Sequence, residues 1–312
     1  MENNKYDFII IGGGVAGLAA AGYAARSNLK TLILELGGAG GQAQNIMHLE
    51  NYPGLYPSIS GTDFIENMKN QAVEFGAEFL TADVYSIDKV DEKFLVKTSL
   101  GNFFSVTLLL ATGSAARKLG VSGEDKFAGR GVSYCATCDG PFFKNKRIVV
   151  IGGGDSACDE ATFLSTLSTD VTVIHRKGEF RAQKAVAERV LNNPNIKVVF
   201  NSVVEEIRGN GKVESVLIKN IQTNEINEIG ADGVFIFIGA EPRTELMPIL
   251  KHDENGYLIT DENMATLIPG LYCAGDVRSK SFRQVVTAAS DGAIAAHSAA
   301  KYIRSVNNEE YI

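Results

Sequence analysis

The residues best suited to chemistry in this 312-residue sequence are two thiols in the stretch Tyr134-Cys135-Ala136-Thr137-Cys138-Asp139-Gly140. Cysteines separated by two residues can close a disulfide and exchange it with a substrate through a mixed disulfide. As half of a zinc site the pair lacks its other half, because there is no second close cysteine pair and the four histidines (48, 175, 252 and 297) are scattered. No metal is expected. As the active site of a small dithiol-exchange domain the pair is misplaced, lying inside a long chain between two Gly-rich motifs. Asp139 would shuttle the proton that thiolate chemistry requires, although an Asp beside a Gly-Pro turn is as often a turn former. Cys158 and Cys273 stand in apolar surroundings and read as packing residues.

The two Gly-rich motifs are near copies: Ile9-Ile10-Ile11-Gly12-Gly13-Gly14-Val15-Ala16-Gly17 returns as Val149-Val150-Ile151-Gly152-Gly153-Gly154-Asp155-Ser156-Ala157. In a Gly-x-Gly-x-x-Gly/Ala turn the missing side chains let the backbone approach a pyrophosphate, whose charge a helix N-terminus stabilises. Two copies, each after an apolar strand and before a helix, are far more specific than one. Each second strand ends at the same offset, Glu35 being 35 − 12 = 23 positions past Gly12 and His175 being 175 − 152 = 23 past Gly152. A carboxylate at that place accepts hydrogen bonds from a ribose diol, which suits FAD or NAD, and repels a 2′-phosphate. The second site offers His175, Arg176, Lys177 and Arg181, cations that would attract a 2′-phosphate and so suit NADPH. Taken without that placement, the same cations would read as a solvated basic helix start.

Elements that position these residues follow from the pattern. Each copy is a βαβ unit, with helices expected over residues 18–25 and 157–167 and second strands over 31–35 and 171–175. Each half later meets another apolar run closed by glycine, residues 108–113 and 234–239. The part from about residue 245 holds Leu271-Tyr272-Cys273-Ala274-Gly275-Asp276 and a small-residue helix expected over 283–303, too short for a third domain. The expected fold class is therefore α/β, with two Rossmann-like, three-layer nucleotide-binding domains, the second inserted into the first. The expected boundaries are 1–116 and 244–312 for the first domain and 117–243 for the inserted one. Thirty-two glycines, about a tenth of the chain against a typical ~7%, imply many tight turns and close backbone approaches. Thirty basic against 37 acidic residues give −7, and no basic stripe suggests a nucleic-acid partner. The uncharged run 8–25 contains five glycines and no cationic region precedes it, so it reads as strand, turn and helix and no membrane association is expected. With no signal peptide or spanning segment, the expected compartment is the cytoplasm.

Along essentially its whole length the sequence resembles the low-molecular-weight, bacterial-type thioredoxin reductases. The resemblance is carried by Cys135-Ala-Thr-Cys138-Asp139, Gly40-Gly41-Gln42, Glu50-Asn51-Tyr52-Pro53-Gly54, Ala111-Thr112-Gly113, Gly152-Gly-Gly-Asp-Ser-Ala157, Ala274-Gly275-Asp276 and Arg283-Gln284, in matching order and spacing. It implies that residues 12–17 (among them Gly12, Gly14, Ala16 and Gly17), Glu35, Gly41, Gln42, Asn51, Gly113, Gly275, Asp276, Arg283, Gln284 and Val285 surround FAD. Asp276 would hydrogen-bond the ribityl chain, and Gln284 would start a helix pointing at the flavin. Gly152, Gly154, Asp155 and Ser156 would join the four cations in holding NADPH. The resemblance further implies that Cys138 faces the flavin, that Cys135 attacks the disulfide of a thioredoxin or thioredoxin-like protein, and that the chain forms a homodimer whose inserted domain rotates, with the two short crossings between domains, residues 113–117 and 240–245, as hinges. Two departures stand out: Lys177 replaces a frequent second Arg, losing the planar fork, and Arg278-Ser279-Lys280-Ser281 follows Gly275-Asp276 where many members carry an acidic residue. The second alters either the flavin surroundings or the partner surface. Rival readings are an NAD(P)H:acceptor flavoprotein, such as an oxidase or ferredoxin reductase, that retains the pair, and a redox sensor that binds nucleotides without turnover. An alkyl hydroperoxide reductase flavoprotein would carry extra thioredoxin-like domains upstream, whereas this chain is expected to begin at its first strand.

Overall fold

The computed structural model describes residues 4–46 and 48–307. The chain divides into two compact units, residues 1–115 with 241–312, and residues 116–240. In the first, β1 (Lys5–Ile11) runs through the Gly12–Gly14 turn into α1 (Val15–Arg26) and returns as β2 (Thr31–Glu35). Next come α2 (Gly61–Glu74), β3 (Glu78–Thr81), β4 (Val84–Val90), β5 (Lys93–Thr98) and β6 (Gly101–Leu110). A short β7 (Ser114–Ala116) leads out of this unit.

The second unit opens with β8 (Val132–Ser133) and α3 (Ala136–Asp139), then repeats the βαβ pattern as β9 (Ile148–Gly152), α4 (Asp155–Leu167) and β10 (Val171–Ile174). It continues through α5 (Lys184–Leu191), β11 (Ile196–Val199), the meander β12 (Ser202–Arg208), β13 (Ser215–Asn220) and β14 (Ile226–Gly230), and β15 (Gly233–Phe237). The return crossing, β16 (Ala240–Pro242), pairs with β7 as a two-stranded ribbon. The first unit is then completed by β17 (Leu271–Cys273) and α6 (Val285–Val306).

The units share one plan. Parallel strands run β3-β2-β1-β6-β17 in the first and β11-β10-β9-β15-β8 in the second. Helices cover one face and a three-stranded antiparallel meander the other, so the central strands are buried on both sides and read as continuous apolar runs. Strand β6 is ten residues long because it serves twice: residues 101–105 pair antiparallel with β5 and residues 108–110 pair parallel with β17. The helical layer of the first unit is built from small residues, Ala20, Ala21 and Ala24 of α1 packing in one core with Ala295, Ala296 and Ala299 of α6. Gly292 is required there, since a Cβ would strike the Ala16 carbonyl. Among the described residues no helix is long and apolar enough to cross a membrane.

Candidate functional site

Cys135 and Cys138 form a disulfide with their Cα atoms 5.4 Å apart. The pair is held by β8 and α3: Ser133 Oγ accepts from the Cys135 N–H (3.1 Å), and Ala136 is buried in the core that contains Cys158, Ala161 and Leu164 of α4. Gly140 then packs on α4, where a Cβ would lie 3.0 Å from Leu164 and 3.1 Å from Leu167. Cys138 is exposed, and Cys135 and Asp139 are half-buried. Cys135 Sγ accepts from the Cys138 N–H at 3.2 Å and lies 3.3 Å from Thr137 Oγ1. Those two neighbours would stabilise charge on the Cys135 sulfur once the bond is reduced. The other two cysteines are buried, and burial pushes the Cys158 thiol up to about 12. Both are inert at neutral pH. A signal the sequence reading missed is Glu124: buried, it accepts from the Leu119 and Gly120 N–H groups (2.8 and 2.6 Å) and from Tyr134 Oη (2.7 Å), fixing the strand that delivers Cys135.

The glycines of both Gly-rich turns divide by task. Gly12 and Gly152, at φ +109° and +149°, would each drive a Cβ into the carbonyl of the neighbouring strand, Ala111 and Phe237 respectively, so they serve the turn itself. Gly17 allows α1 to touch the Gly12 carbonyl. Gly14 and Gly154 are different: a Cβ on Gly14 would meet only the Gly40 oxygen at 3.9 Å, and one on Gly154 nothing within 4 Å. Each is the residue preceding its helix, with no side chain capping the first-turn N–H groups. A small open cradle lined by unspent N–H donors is what a pyrophosphate requires. Both turns therefore fit a dinucleotide.

Around the first turn, Glu35 accepts from the Gly13 N–H (2.6 Å) and the Gly37 N–H (3.2 Å). The Gly40-Gly41 loop crosses the turn, with the Gly40 N–H donating to Gly13 O at 2.8 Å, and Gln42 Nε2 donates to Ser114 O and Oγ at 2.7 and 2.9 Å. Gly113, at φ +65° with open space around it, lies between β6 and that serine, the first residue of β7. Gly275 reaches the start of α1, where its Cβ would sit 2.9 Å from Ala16 Cβ, and thereby places Asp276 beside the turn. Gln284 is the residue before α6 and Val285 its first residue. Gln284 and Thr287 form a capping box in which Thr287 Oγ1 accepts from the Gln284 N–H (3.0 Å), and Asn51 Nδ2 donates to Gln284 Oε1 (3.1 Å), joining expected site residues 233 positions apart. Arg283 lies over the Tyr257 ring at 3.7 Å, and its Nε is buried without a hydrogen-bond partner, as is Asp276 Oδ1. Thr287 was legible as an i+3 capping partner of Gln284; Ser114 was not, being a contact of the fold.

Around the second turn, Arg176, Lys177 and Arg181 are exposed and follow the end of β10, and the Arg181 N–H donates to Gly153 O at 2.7 Å. Ser156 is exposed in the first turn of α4, while Asp155 accepts from Gln183 N (2.6 Å) and Nε2 (3.1 Å), tying the loop after β10 over the glycines. The expectation that His175 stands among the cations is corrected here. Its ring is 4% exposed, lies against Gly153 and stacks on Phe180 at 6.0 Å. Burial, followed by the charges of Arg181 and Arg176, pushes its pKa below the ordinary histidine value, so it supports the turn as a neutral ring. Among the described residues no group of three or more His, Cys, Asp or Glu could hold a metal ion.

Residues 6–292 match the family model for pyridine nucleotide-disulphide oxidoreductase. The chain is 54% identical over 303 residues to the thioredoxin reductase of Treponema pallidum, covering 97% of this chain and 99% of that protein. It is 44% identical over 310 residues to the thioredoxin reductase of Peptoclostridium litorale, covering 97% and 98%. The crystal structure of Lactococcus lactis thioredoxin reductase superposes with a TM-score of 0.94 at 43% identity, covering 96% of this chain and 99% of that one. With paired Rossmann-like units, a Cys-x-x-Cys disulfide and full-length relatives at this identity, the chain belongs to the pyridine nucleotide-disulphide oxidoreductases and, within them, to the thioredoxin reductases.

Proposed function

We propose that this chain passes electrons from NADPH through FAD and the Cys135–Cys138 disulfide to a thioredoxin or thioredoxin-like protein. The observation that carries this reading is the disulfide itself, closed in the unit that also bears the Gly152–Gly154 turn and its exposed cations. When bound, FAD would supply the step that two thiols lack, taking a hydride from NADPH and giving two electrons to the disulfide. The chain's residues do the rest. Gly12, Gly14 and the first turn of α1 would hold the FAD pyrophosphate, Glu35 its ribose and Asp276 its ribityl chain. Gly154, Ser156 and the α4 N-terminus would hold the NADPH pyrophosphate, with Arg176, Lys177 and Arg181 on the 2′-phosphate.

In the reduced dithiol, the Cys135 thiolate attacks one sulfur of the partner's disulfide, forming a mixed disulfide and releasing one partner thiolate. The Cys138 thiolate then attacks the Cys135 sulfur, closing the internal disulfide again and releasing the second partner thiolate. Two electrons pass to the partner, and Asp139 would move a proton to or from these sulfurs. A homodimer in the cytoplasm, where thiols are kept reduced, completes the proposal. The reading of an NAD(P)H:acceptor flavoprotein that merely retains the cysteines is not favoured.

The test is steady-state NADPH consumption by the purified holoprotein with an oxidised thioredoxin. Wild type should turn over. Cys135→Ser and Cys138→Ser should each nearly abolish thioredoxin reduction yet leave slow NADPH oxidation by artificial acceptors, because the hydride step precedes the thiols. Cys135→Ser alone should leave a thiolate that perturbs the flavin spectrum. Thioredoxin reduction surviving in either variant would refute the relay.

A further inference from the structure

The segment Arg278-Ser279-Lys280-Ser281 turns its two cations inward. The side chains of Arg278 and Lys280 are 13% and 9% exposed and meet Asp291 of α6, itself 9% exposed, at 3.1 Å each. Asp291 Oδ2 also accepts from the Gly275 N–H at 3.1 Å. Lys280 Nζ has two further neighbours, Thr287 Oγ1 at 3.4 Å and Asp276 Oδ1 at 3.4 Å. One ammonium thus touches the carboxylate that anchors Gly275, the hydroxyl that caps Gln284, and Asp276. The two cations that depart from the family pattern therefore face Asp276, Asp291 and the start of α6 rather than solvent.

A buried ion pair is weak evidence for stability, since desolvation consumes most of the attraction. What sets this one apart is the state of Asp276. Its Oδ1 is buried with no hydrogen-bond donor, yet a cation stands 3.4 Å away. Lys280 thus offsets the charge from the buried Oδ1 side, while the Asp276 side chain remains 33% exposed, which leaves its other oxygen open to accept a hydroxyl from a ligand. Without the cation, Asp276 and Asp291 would face each other as partly buried like charges.

We infer that Lys280 is a positioning residue for the flavin site, holding Asp276 charged-compensated but uncommitted so that it accepts a hydroxyl of the polyhydroxy chain of FAD. The inference rests on the reading of this chain as a flavoprotein. Lys280 acts through Asp276 and the α6 cap, and Arg278 secures Asp291 from the other side.

The experiment is titration of the full-length apoprotein with FAD, followed by flavin fluorescence, with urea unfolding of each apoprotein as control. Lys280→Met should weaken FAD binding roughly tenfold or more, the scale of a charged hydrogen bond, without lowering apoprotein stability in proportion. Lys280→Arg should restore affinity to within a few-fold of wild type. In an Asp276→Asn background, Lys280→Met should cost much less than it does alone, because the residue it serves is already changed. Unchanged FAD affinity in Lys280→Met, or an equal loss in the Asp276→Asn background, overturns the inference. So does a loss matched by an equal loss of apoprotein stability. A wild-type chain that takes up FAD with those variant results rejects the role of Lys280 alone, whereas a wild-type chain that takes up no FAD rejects the flavoprotein reading itself.

Discussion

The two Gly-rich turns share a backbone and differ in what stands behind them. In the first, Glu35 reaches forward and accepts the Gly13 N–H at 2.6 Å, so the acidic group is part of the turn's own rim. In the second, the residue at the matching offset lies beneath the turn: the His175 ring occupies the space a Cβ on Gly153 would need. The cations at that end, Arg176, Lys177 and Arg181, are exposed and lie outward of the ring. Under the proposed function, the same βαβ frame would carry its specificity on the strand end in one unit and on the following loop in the other. A rim carboxylate is fixed by backbone donors, whereas the loop cations are exposed side chains that can be replaced one at a time.

The sharpest way to break this contrast is to strip the loop. Arg176→Ala with Arg181→Ala removes two donors that would each contribute about 1.5–3 kcal/mol to a charged phosphate, reduced by exposure toward the ~0–1 kcal/mol of surface pairs. The expected loss in kcat/KM for NADPH is tens- to hundreds-fold, mostly in KM, because a remote phosphate binds ground and transition states alike. NADH kinetics should hardly change. Lys177→Ala should cost less, lacking the planar fork. Equal losses with both nucleotides would mean that the arginines serve folding, and a wild type favouring NADH would refute the assignment.

How far the sequence carried the fold and the site follows from the range of each interaction. Both βαβ units were legible because strand, turn and helix are local, and residues 9–17 and 149–157 announce one another. The thiols were legible from residue type and spacing alone. The burial of His175 was not, since it depends on Gly153, 22 positions earlier, coming to rest on its ring. Nor was the Lys280–Asp291 pair, which exists only because the turn at Gly275 packs on α6. The meanders escaped as well: β12 and β13 bury alternate residues and β14 is largely exposed, so they lack the continuous apolar runs that mark the central strands.

A second comparison separates the glycines themselves. Gly153→Ala should destabilise the full chain by about 1–3 kcal/mol, because the new methyl meets a packed ring. Gly13→Ala should cost below about 1 kcal/mol. Its Cβ would lie 3.0 Å from the edge of the partly exposed Phe79 ring, which can yield by a few tenths of an ångström. In urea unfolding, His175→Ala should offset part of the Gly153→Ala loss, giving a coupling of at least about 0.5 kcal/mol. Additive losses would show that the ring does not fill that space.

The smallest effect tests whether His175 is neutral in the folded chain. Its folded pKa lies below the unfolded value of 6.5, chiefly through burial. The unfolded chain therefore binds the proton first as pH falls. The stabilisation is complete above 6.5 and is lost progressively as pH drops toward the folded pKa, by less than about 1.4 kcal/mol for each pH unit crossed. Glu160 on α4 works in the opposite direction: burial, with Asp159 nearby, raises it from 4.5 to about 7, so the folded chain binds its proton first and stability falls as pH rises through that window. The raw pH profile mixes the two slopes, and the informative quantity is the difference between wild type and His175→Phe, whose ring can keep the stack on Phe180. Unfolding free energy measured between pH 7 and 5 should decline more steeply on acidification in wild type than in His175→Phe. Parallel curves, or a steeper decline in the variant, would place a charged or solvated imidazole at this position and return His175 to the cations proposed to hold the 2′-phosphate.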